Sequence, residues 1–139
     1  MSGKPLADEV WRDLAAFVHN HRDGWKRAVI ERAGLPFSRI RILMRLRASS
    51  MTVKELAAAA AIDAPAATVA VNDLQDRGLV VREVDPDNRR CKKVSLTASG
   101  RAVLDAVDAV HDPAPAVVSH LATDELRTLR RILDRMLGC

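Results

Sequence analysis

The apolar pattern between Thr52 and Thr97 changes period once, at Gly78, and that single change restricts the chain to few folds. Ahead of it the spacing is helical. Thr52-Val53-Lys54-Glu55 carries the residues of a capping box, in which the Thr52 hydroxyl accepts from the Glu55 amide and the Glu55 carboxylate accepts from the Thr52 amide. Leu56 and Ala57 to Ala61 continue as strong helix formers, with side chains small enough to let a second helix cross closely. Ile62-Asp63 ends that run. Asp63 suits the N-cap of a second helix, with Pro65 in its first turn where a missing amide hydrogen does no harm. Ala67, Ala70, Val71 and Leu74 form the inward stripe of this helix, and Gly78 supplies the left-handed residue that closes it.

Beyond Gly78, Leu79 to Val84 is short and β-branched, and Cys91 to Leu96 alternates polar with apolar. Asp85-Pro86-Asp87-Asn88 between them suits a type I turn, and Thr97 can cap a following helix. A hairpin clamped by helices at both ends results, with Arg89, Arg90, Lys92 and Lys93 at its tip. Two short helices running into such a hairpin read as a winged helix-turn-helix that faces DNA. The fold class is therefore mainly α with a small β-hairpin wing, an α+β arrangement. The net charge is only +4, yet a pI of 9.6 and the clustering of those four cations place positive charge where a phosphate backbone would lie. With no tyrosine in the chain, base stacking on single-stranded nucleic acid is not expected.

The flanks carry apolar faces that one small core cannot cover. Leu6, Val10, Trp11, Leu14, Phe17, Val18, Trp25 and Val29 recur at helical spacing and predict one long first helix, weakened at Gly24 by about 1 kcal/mol relative to alanine. At the other end Leu126, Leu129, Leu133 and Met136 keep a three-and-four spacing, widened by Ile132 and Leu137. Pairing of terminal helices between two chains covers both faces, with Leu6, Val10, Trp11, Leu126, Leu129, Ile132, Leu133 and Met136 as the expected contacts. The plain alternative is that the terminal helices fold back on their own core. The expected organisation is an N-terminal dimerisation helix over 1–36, a winged helix-turn-helix over 37–100 and C-terminal dimerisation helices over 101–139.

The remaining helices are simpler to place. A helix from Ser38 to Arg47 directs Ile40, Leu43 and Leu46 inward, and its Arg39, Arg41, Arg45 and Arg47 either touch phosphate or are solvated. Thr97 to His111 forms the helix leaving the hairpin, Asp112-Pro113-Ala114-Pro115 interrupts it, and Thr123 with Asp124 and Glu125 behind it starts the last helix.

Thr52 to Ala57, Ala67-Thr68-Val69, Asp76 to Val80, Asp85 to Arg90 and the Leu96-Thr97-Ala98-Ser99-Gly100 exit together resemble the multiple antibiotic resistance regulator (MarR) family over roughly Leu6 to Leu137. The resemblance implies a homodimer in which each subunit places a recognition helix in the major groove and a wing arginine in the neighbouring minor groove. It also implies a small, often phenolic or anionic effector between the dimer helices and the DNA-binding lobe, where His21, Trp25, Ile42 and Arg45 would lie. The plain alternative puts Trp25 in the core with His21 and Arg45 on the surface. The DNA-facing residues would be Pro65, Ala66, Thr68, Val69 and Asn72 on the second helix, and Asn88, Arg89, Arg90 and Lys92 on the wing.

This chain departs from the family pattern twice. Where relatives have Asp-x-Arg at the wing tip it has Asn88-Arg89-Arg90, so the carboxylate that would orient Arg90 is an amide, leaving Arg90 less firmly held. The exposed face of the second helix offers thymine methyls apolar contact and offers adenine the Asn72 amide, but it has no arginine for guanine. Selectivity then rests on few contacts or on DNA shape.

Other classes are weaker. No apolar run approaches the roughly twenty residues needed to cross a bilayer, and the N-terminus lacks the pattern of a signal peptide, so a cytoplasmic protein with no membrane partner is expected. Cys91 and Cys139 form no disulfide framework. Cys91 lies among Arg90, Lys92 and Lys93, a setting that favours a redox-responsive thiolate. His19, His21, His111 and His120 have no spacing for a metal site, no cofactor is implied, and Ser, His and Asp occur in no activating arrangement, so no enzyme is expected. Two functions remain. One is a repressor that occupies a pseudo-palindromic double-stranded operator as a homodimer and is relieved by a small-molecule effector or an oxidant. The other is a winged-helix module that binds a protein through the same surface.

Overall fold

The computed structural model describes residues 3–138, so Cys139 lies outside the described residues. Its elements run α1 (Gly3–His21), α2 (Asp23–Ala33), α3 (Phe37–Leu46), α4 (Val53–Ala60), α5 (Ala64–Asp76), β1 (Val80–Asp85), β2 (Asn88–Leu96), α6 (Ala98–Asp108), α7 (Ala116–Ser119) and α8 (Thr123–Leu137). They fall into two units, one of α1, α7 and α8, the other of α2 to α6 with the hairpin.

The larger unit, residues 22–111, holds the core. Ile40, Ile42, Leu43 and Leu46 of α3 meet Leu56 of α4, Val71 and Leu74 of α5, Val94 of β2 and Leu104 and Val107 of α6, all buried. The caps follow the sequence pattern. The Glu55 amide donates to Thr52 Oγ1 at 3.1 Å, and the Thr52 amide donates to Glu55 Oε1 at 3.2 Å. The Ala66 amide donates to Asp63 Oδ1 at 2.7 Å, fixing the start of α5 next to Pro65. Ala61, with φ 56°, makes the left-handed turn between α4 and α5, and Gly78, with φ 75°, makes the one after α5.

The hairpin is antiparallel, pairing Val80 with Leu96 and continuing to Val84 with Lys92. Met51 adds a short third rung, donating to the Val94 carbonyl at 3.0 Å and accepting from the Val94 amide at 2.6 Å. That rung ties the base of the hairpin to the entry of α4. At the hairpin's exit the Thr97 hydroxyl donates to the Gly78 carbonyl at 2.7 Å and accepts from the Gly100 amide at 3.1 Å. The leaving Leu-Thr-x-x-Gly segment therefore locks β2, α6 and the end of α5 at one point.

Ion pairs brace the helices. Arg39 of α3 and Arg77 at the end of α5 each reach a carboxylate oxygen of Asp73 at 3.0 Å, and Arg47 of α3 pairs with Asp108 of α6 at 3.1 Å. Two of the four arginines whose role the sequence left open are thus committed to helix packing, while Arg41 and Arg45 are exposed.

The smaller unit has an unusual surface. No residue of α7 or α8 is buried, and along α1 Leu6, Val10, Trp11, Phe17 and Val18 are all exposed, Trp11 to 69%. On α8 Leu129, Ile132, Leu133 and Met136 are equally open, with Leu126 half-buried.

Two expectations about helix ends are corrected. The long first helix is two helices, parted at Arg22, where the backbone bends at φ −101° and ψ −9°. The break precedes Gly24, which sits inside α2, and Asp23 starts that helix with a carboxylate in its first turn. The last helix is capped from Ala122, not Thr123. Ala122 has no side-chain acceptor, so the cap is one-sided, the Ala122 amide donating to Glu125 Oε1 at 2.9 Å.

Candidate nucleic-acid interface

α5 presents Pro65, Ala66, Thr68, Val69 and Asn72 to solvent, while Ala67, Ala70, Val71 and Leu74 hold its other face in the core. The exposed strip is smooth and apolar for two turns. The Thr68 hydroxyl donates back to the Ala64 carbonyl at 3.0 Å, so its hydrogen is committed within the helix. Val69, at 60% exposure, is the most prominent apolar side chain on this face.

Asn72 is engaged from outside the helix. Arg82, on β1, donates from Nη2 to Asn72 Oδ1 at 2.6 Å and from Nη1 to Gln75 Oε1 at 2.7 Å. The two amides of α5 hold the guanidinium like a clamp, and the hairpin is fastened to the helix through it. Sequence reasoning missed Arg82 as a functional residue. It lies ten residues from Asn72 along the chain, and only the sheet pairing brings them together. The only available signal was an arginine within the short β-branched run from Leu79 to Val84.

The hairpin tip departs from regular pairing. Val84 opposes Lys92 but Asp85 opposes Asn88, so Arg89, Arg90 and Cys91 bulge from β2 without partners across the ladder. Asn88 organises this bulge. Its Oδ1 accepts from the Arg90 backbone amide at 3.2 Å and its Nδ2 donates to Cys91 Sγ at 3.4 Å. At the turn itself the Asp87 amide donates to Asp85 Oδ1 at 3.0 Å. The amide at position 88 thus holds the backbone of Arg90 and leaves its guanidinium to solvent.

The four cations of the tip are not equivalent. Lys93 turns back to Asp85, Nζ lying 3.7 Å from Oδ2, and this Asp85 is the buried charged residue among those described. Arg89, Arg90 and Lys92 are exposed and carry no ion pair among the described residues. Farther back, the hydrogen bond from Arg39, then that from Arg77, holds the Asp73 carboxyl below its ordinary value of 3.8. Two guanidinium groups, one on α3 and one at the end of α5, thereby pair with this one carboxylate.

The residues expected around an effector are placed variously. Ile42 is sealed in the core at 2% exposure and Arg45 is on the surface of the same helix. Trp25 is half-buried, edge-on to Phe37 with ring centroids 5.8 Å apart and the Arg22 guanidinium 3.7 Å above its ring. His21, in the other unit, is exposed and hydrogen-bonded through Nδ1 to the Phe17 carbonyl at 2.8 Å. An open cleft of about 450 Å³ between α2 and α6 is lined by Ala28, Glu31, Arg32, Ala109, Val110 and His111, and includes none of the four. Cys91 is a free thiol, half-buried in the bulge. The described residues contain no group of three metal-ligating side chains, and no helix is long and apolar enough to cross a membrane.

A capped helix pair followed by a hairpin whose base is closed by a third rung defines a winged-helix protein. Residues 33–90, from the end of α2 to the hairpin tip, match the family model of the MarR family. Similar solved structures include wild-type MarR from E. coli in its apo form, with 23% identity, a TM-score of 0.73 and coverage of 90% of this chain and 95% of that one. A MepR mutant from S. aureus bound to an oligodeoxyribonucleotide matches at 22% identity and a TM-score of 0.62, over 95% of this chain and 96% of that one. A probable transcriptional regulator from Pseudomonas aeruginosa matches at 27% identity and a TM-score of 0.60, over 88% and 96%. The helix-turn-helix and hairpin thus match the MarR family model, and the chain shares the fold of these structures.

Proposed function

We propose that this chain is a transcriptional regulator that binds a pseudo-palindromic double-stranded operator as a homodimer and represses by occluding a promoter. The observation that carries the reading is that one rigid unit offers both kinds of contact DNA recognition needs. α5 turns Pro65, Ala66, Thr68, Val69 and Asn72 outward on a capped, core-anchored helix. The hairpin holds Arg89, Arg90 and Lys92 free of internal carboxylates. In this reading α5 enters the major groove and Arg90, its backbone fixed by Asn88, enters the adjacent minor groove. The oligodeoxyribonucleotide bound to the MepR mutant of the same fold supports this assignment.

The dimer follows from surface chemistry. Leu6, Val10 and Trp11 on α1, with Leu129, Ile132, Leu133 and Met136 on α8, leave large apolar side chains in water on both terminal helices. A second copy, related by two-fold symmetry, offers the same faces in return, and the protein's two-fold sets half-sites about one helical turn apart. Relief of repression by a small effector or an oxidant would act by changing the distance between the two recognition helices. Such a protein works in the cytoplasm, beside the chromosome.

Titration of a duplex carrying selected half-sites at several salt concentrations tests the reading. Log affinity falls linearly with log salt if phosphate counterions are released on binding. A protein that ignores every duplex at low ionic strength, and instead retains a protein partner with little salt dependence, would overturn it.

A further inference from the structure

The geometry points to Arg82 as a specificity-determining residue: by occupying the carbonyl oxygen of Asn72 it makes the recognition helix address an acceptor-bearing base edge, guanine above all, where a free Asn72 would address adenine. The inference deepens the DNA-binding reading and rests on it.

An asparagine reads adenine with both ends of its amide, the oxygen accepting from N6 and the nitrogen donating to N7. Here Asn72 Oδ1 already accepts from Arg82 at 2.6 Å, a short charge-assisted bond. A base amino group approaching that oxygen would meet a cationic N–H beside it. Arg82 takes one lone pair of Oδ1 and sets a cationic N–H beside the other, which disfavours a second donor there and leaves the Nδ2 hydrogens as the favoured contact toward the groove. Arg82 adds to this. Gln75 holds its other terminal nitrogen at 2.7 Å, so the guanidinium is fixed beside Asn72, its positive charge facing the same region. A patch of donors and positive charge is complementary to the O6 and N7 acceptors of guanine and opposes the amino groups of adenine and cytosine.

This arrangement also changes what the helix face can recognise. α5 carries no arginine or lysine of its own between Ala64 and Asp76. The strand supplies the missing cation, and because the same side chain fastens β1 to α5, the base-reading group and the wing move as one body.

Selection of half-sites from random duplex DNA, carried out in parallel with the full-length wild type, Arg82→Ala, Asn72→Ala and Gln75→Ala, tests the inference. Wild type is expected to select guanine at one position of each half-site. Arg82→Ala frees the Asn72 carbonyl and should shift that position toward adenine by about tenfold. Asn72→Ala should flatten the preference at the same position, and Gln75→Ala, which leaves the Asn72 contact in place, should weaken it without reversing it. A uniform loss of affinity for all sequences in Arg82→Ala, or an unchanged preference, overturns the inference. If Arg82→Ala fails to fold, Arg82→Met serves in its place, since it keeps the aliphatic stem but donates to neither amide, and an unchanged preference there likewise overturns it. A wild type that selects no duplex at all overturns the DNA-binding reading instead.

Discussion

Gly100, in the first turn of α6, lies so close to the carbonyl oxygen of Leu79 that a β-carbon at position 100 would collide with it. That oxygen is not free to swing away, because it also accepts from the Thr97 amide at 3.1 Å. Two effects oppose each other in Gly100→Ala. Helix propensity alone favours alanine by about 1 kcal/mol, whereas forcing a methyl group into a packed site costs about 1–3 kcal/mol. With backbone on the other side of the contact the steric term prevails. Gly100→Ala should lower stability by up to about 2 kcal/mol, read as a lower urea midpoint with an unchanged slope.

The same corner shows what the sequence makes legible. The caps of Thr52, Glu55, Asp63 and Thr97 and the turn at Gly78 are made within four residues of where these residues stand, so they are legible directly and are found in place. The contacts that build the interface are of another kind. Arg39 meets Asp73 across 34 residues, Met51 pairs with Val94, and Arg82 reaches Asn72 only because β1 folds back along α5. No local rule predicts these. The break at Arg22 is hidden for the opposite reason, since the apolar periodicity runs through it unbroken and Gly24, the weak point visible in the sequence, lies inside α2. Ile42 illustrates a third limit, a residue assigned to an effector pocket through family resemblance whose side chain completes the core.

Acid should act on the Arg39–Asp73–Arg77 brace. The folded-state pKa of Asp73 is depressed, chiefly by the hydrogen bond from Arg39 and next by that from Arg77. A depressed carboxyl contributes its stability fully above its unfolded pKa of about 4 and loses it as pH falls through the lower folded value. Asp73→Asn should therefore be less stable than wild type near neutrality, and the gap should close as pH drops below about 4. Thermal unfolding of both proteins across the acid range checks this. A gap that is constant from pH 7 to pH 2 would show that the charge on Asp73 contributes nothing.

The apolar faces of α1 and α8 set the oligomeric state in the proposed dimer. Ile132 is 46% exposed in the single chain, and a carboxylate at this position would be buried without a partner, twice over, in a two-fold interface. An uncompensated buried charge costs several kcal/mol, so Ile132→Glu should weaken self-association by at least about a hundredfold. Sedimentation equilibrium should give twice the 15.2 kDa chain mass for wild type and the single mass for the variant at the same concentration. Wild type sedimenting at the single mass would remove the basis for a palindromic operator.

Arg90 and Lys93 stand three residues apart on the same strand yet should differ in what they give to DNA binding. Arg90 has an exposed guanidinium with no internal carboxylate, on a backbone held by Asn88. Lys93 is drawn to Asp85, a carboxylate whose side chain is 11% exposed, and so is partly neutralised before DNA arrives. A cation that displaces phosphate counterions adds about 0.9 to the slope of log affinity against log salt. Arg90→Ala should lower the slope by about that amount and weaken binding on all sequences, as removal of a phosphate or minor-groove cation does. Lys93→Ala should leave the slope nearly unchanged and instead lower stability, because it strands the Asp85 carboxylate in a buried position. Fluorescence anisotropy at four or more salt concentrations, with urea unfolding of the same samples, separates the two outcomes. Equal slopes for Arg90→Ala and wild type would place the wing away from the phosphate backbone.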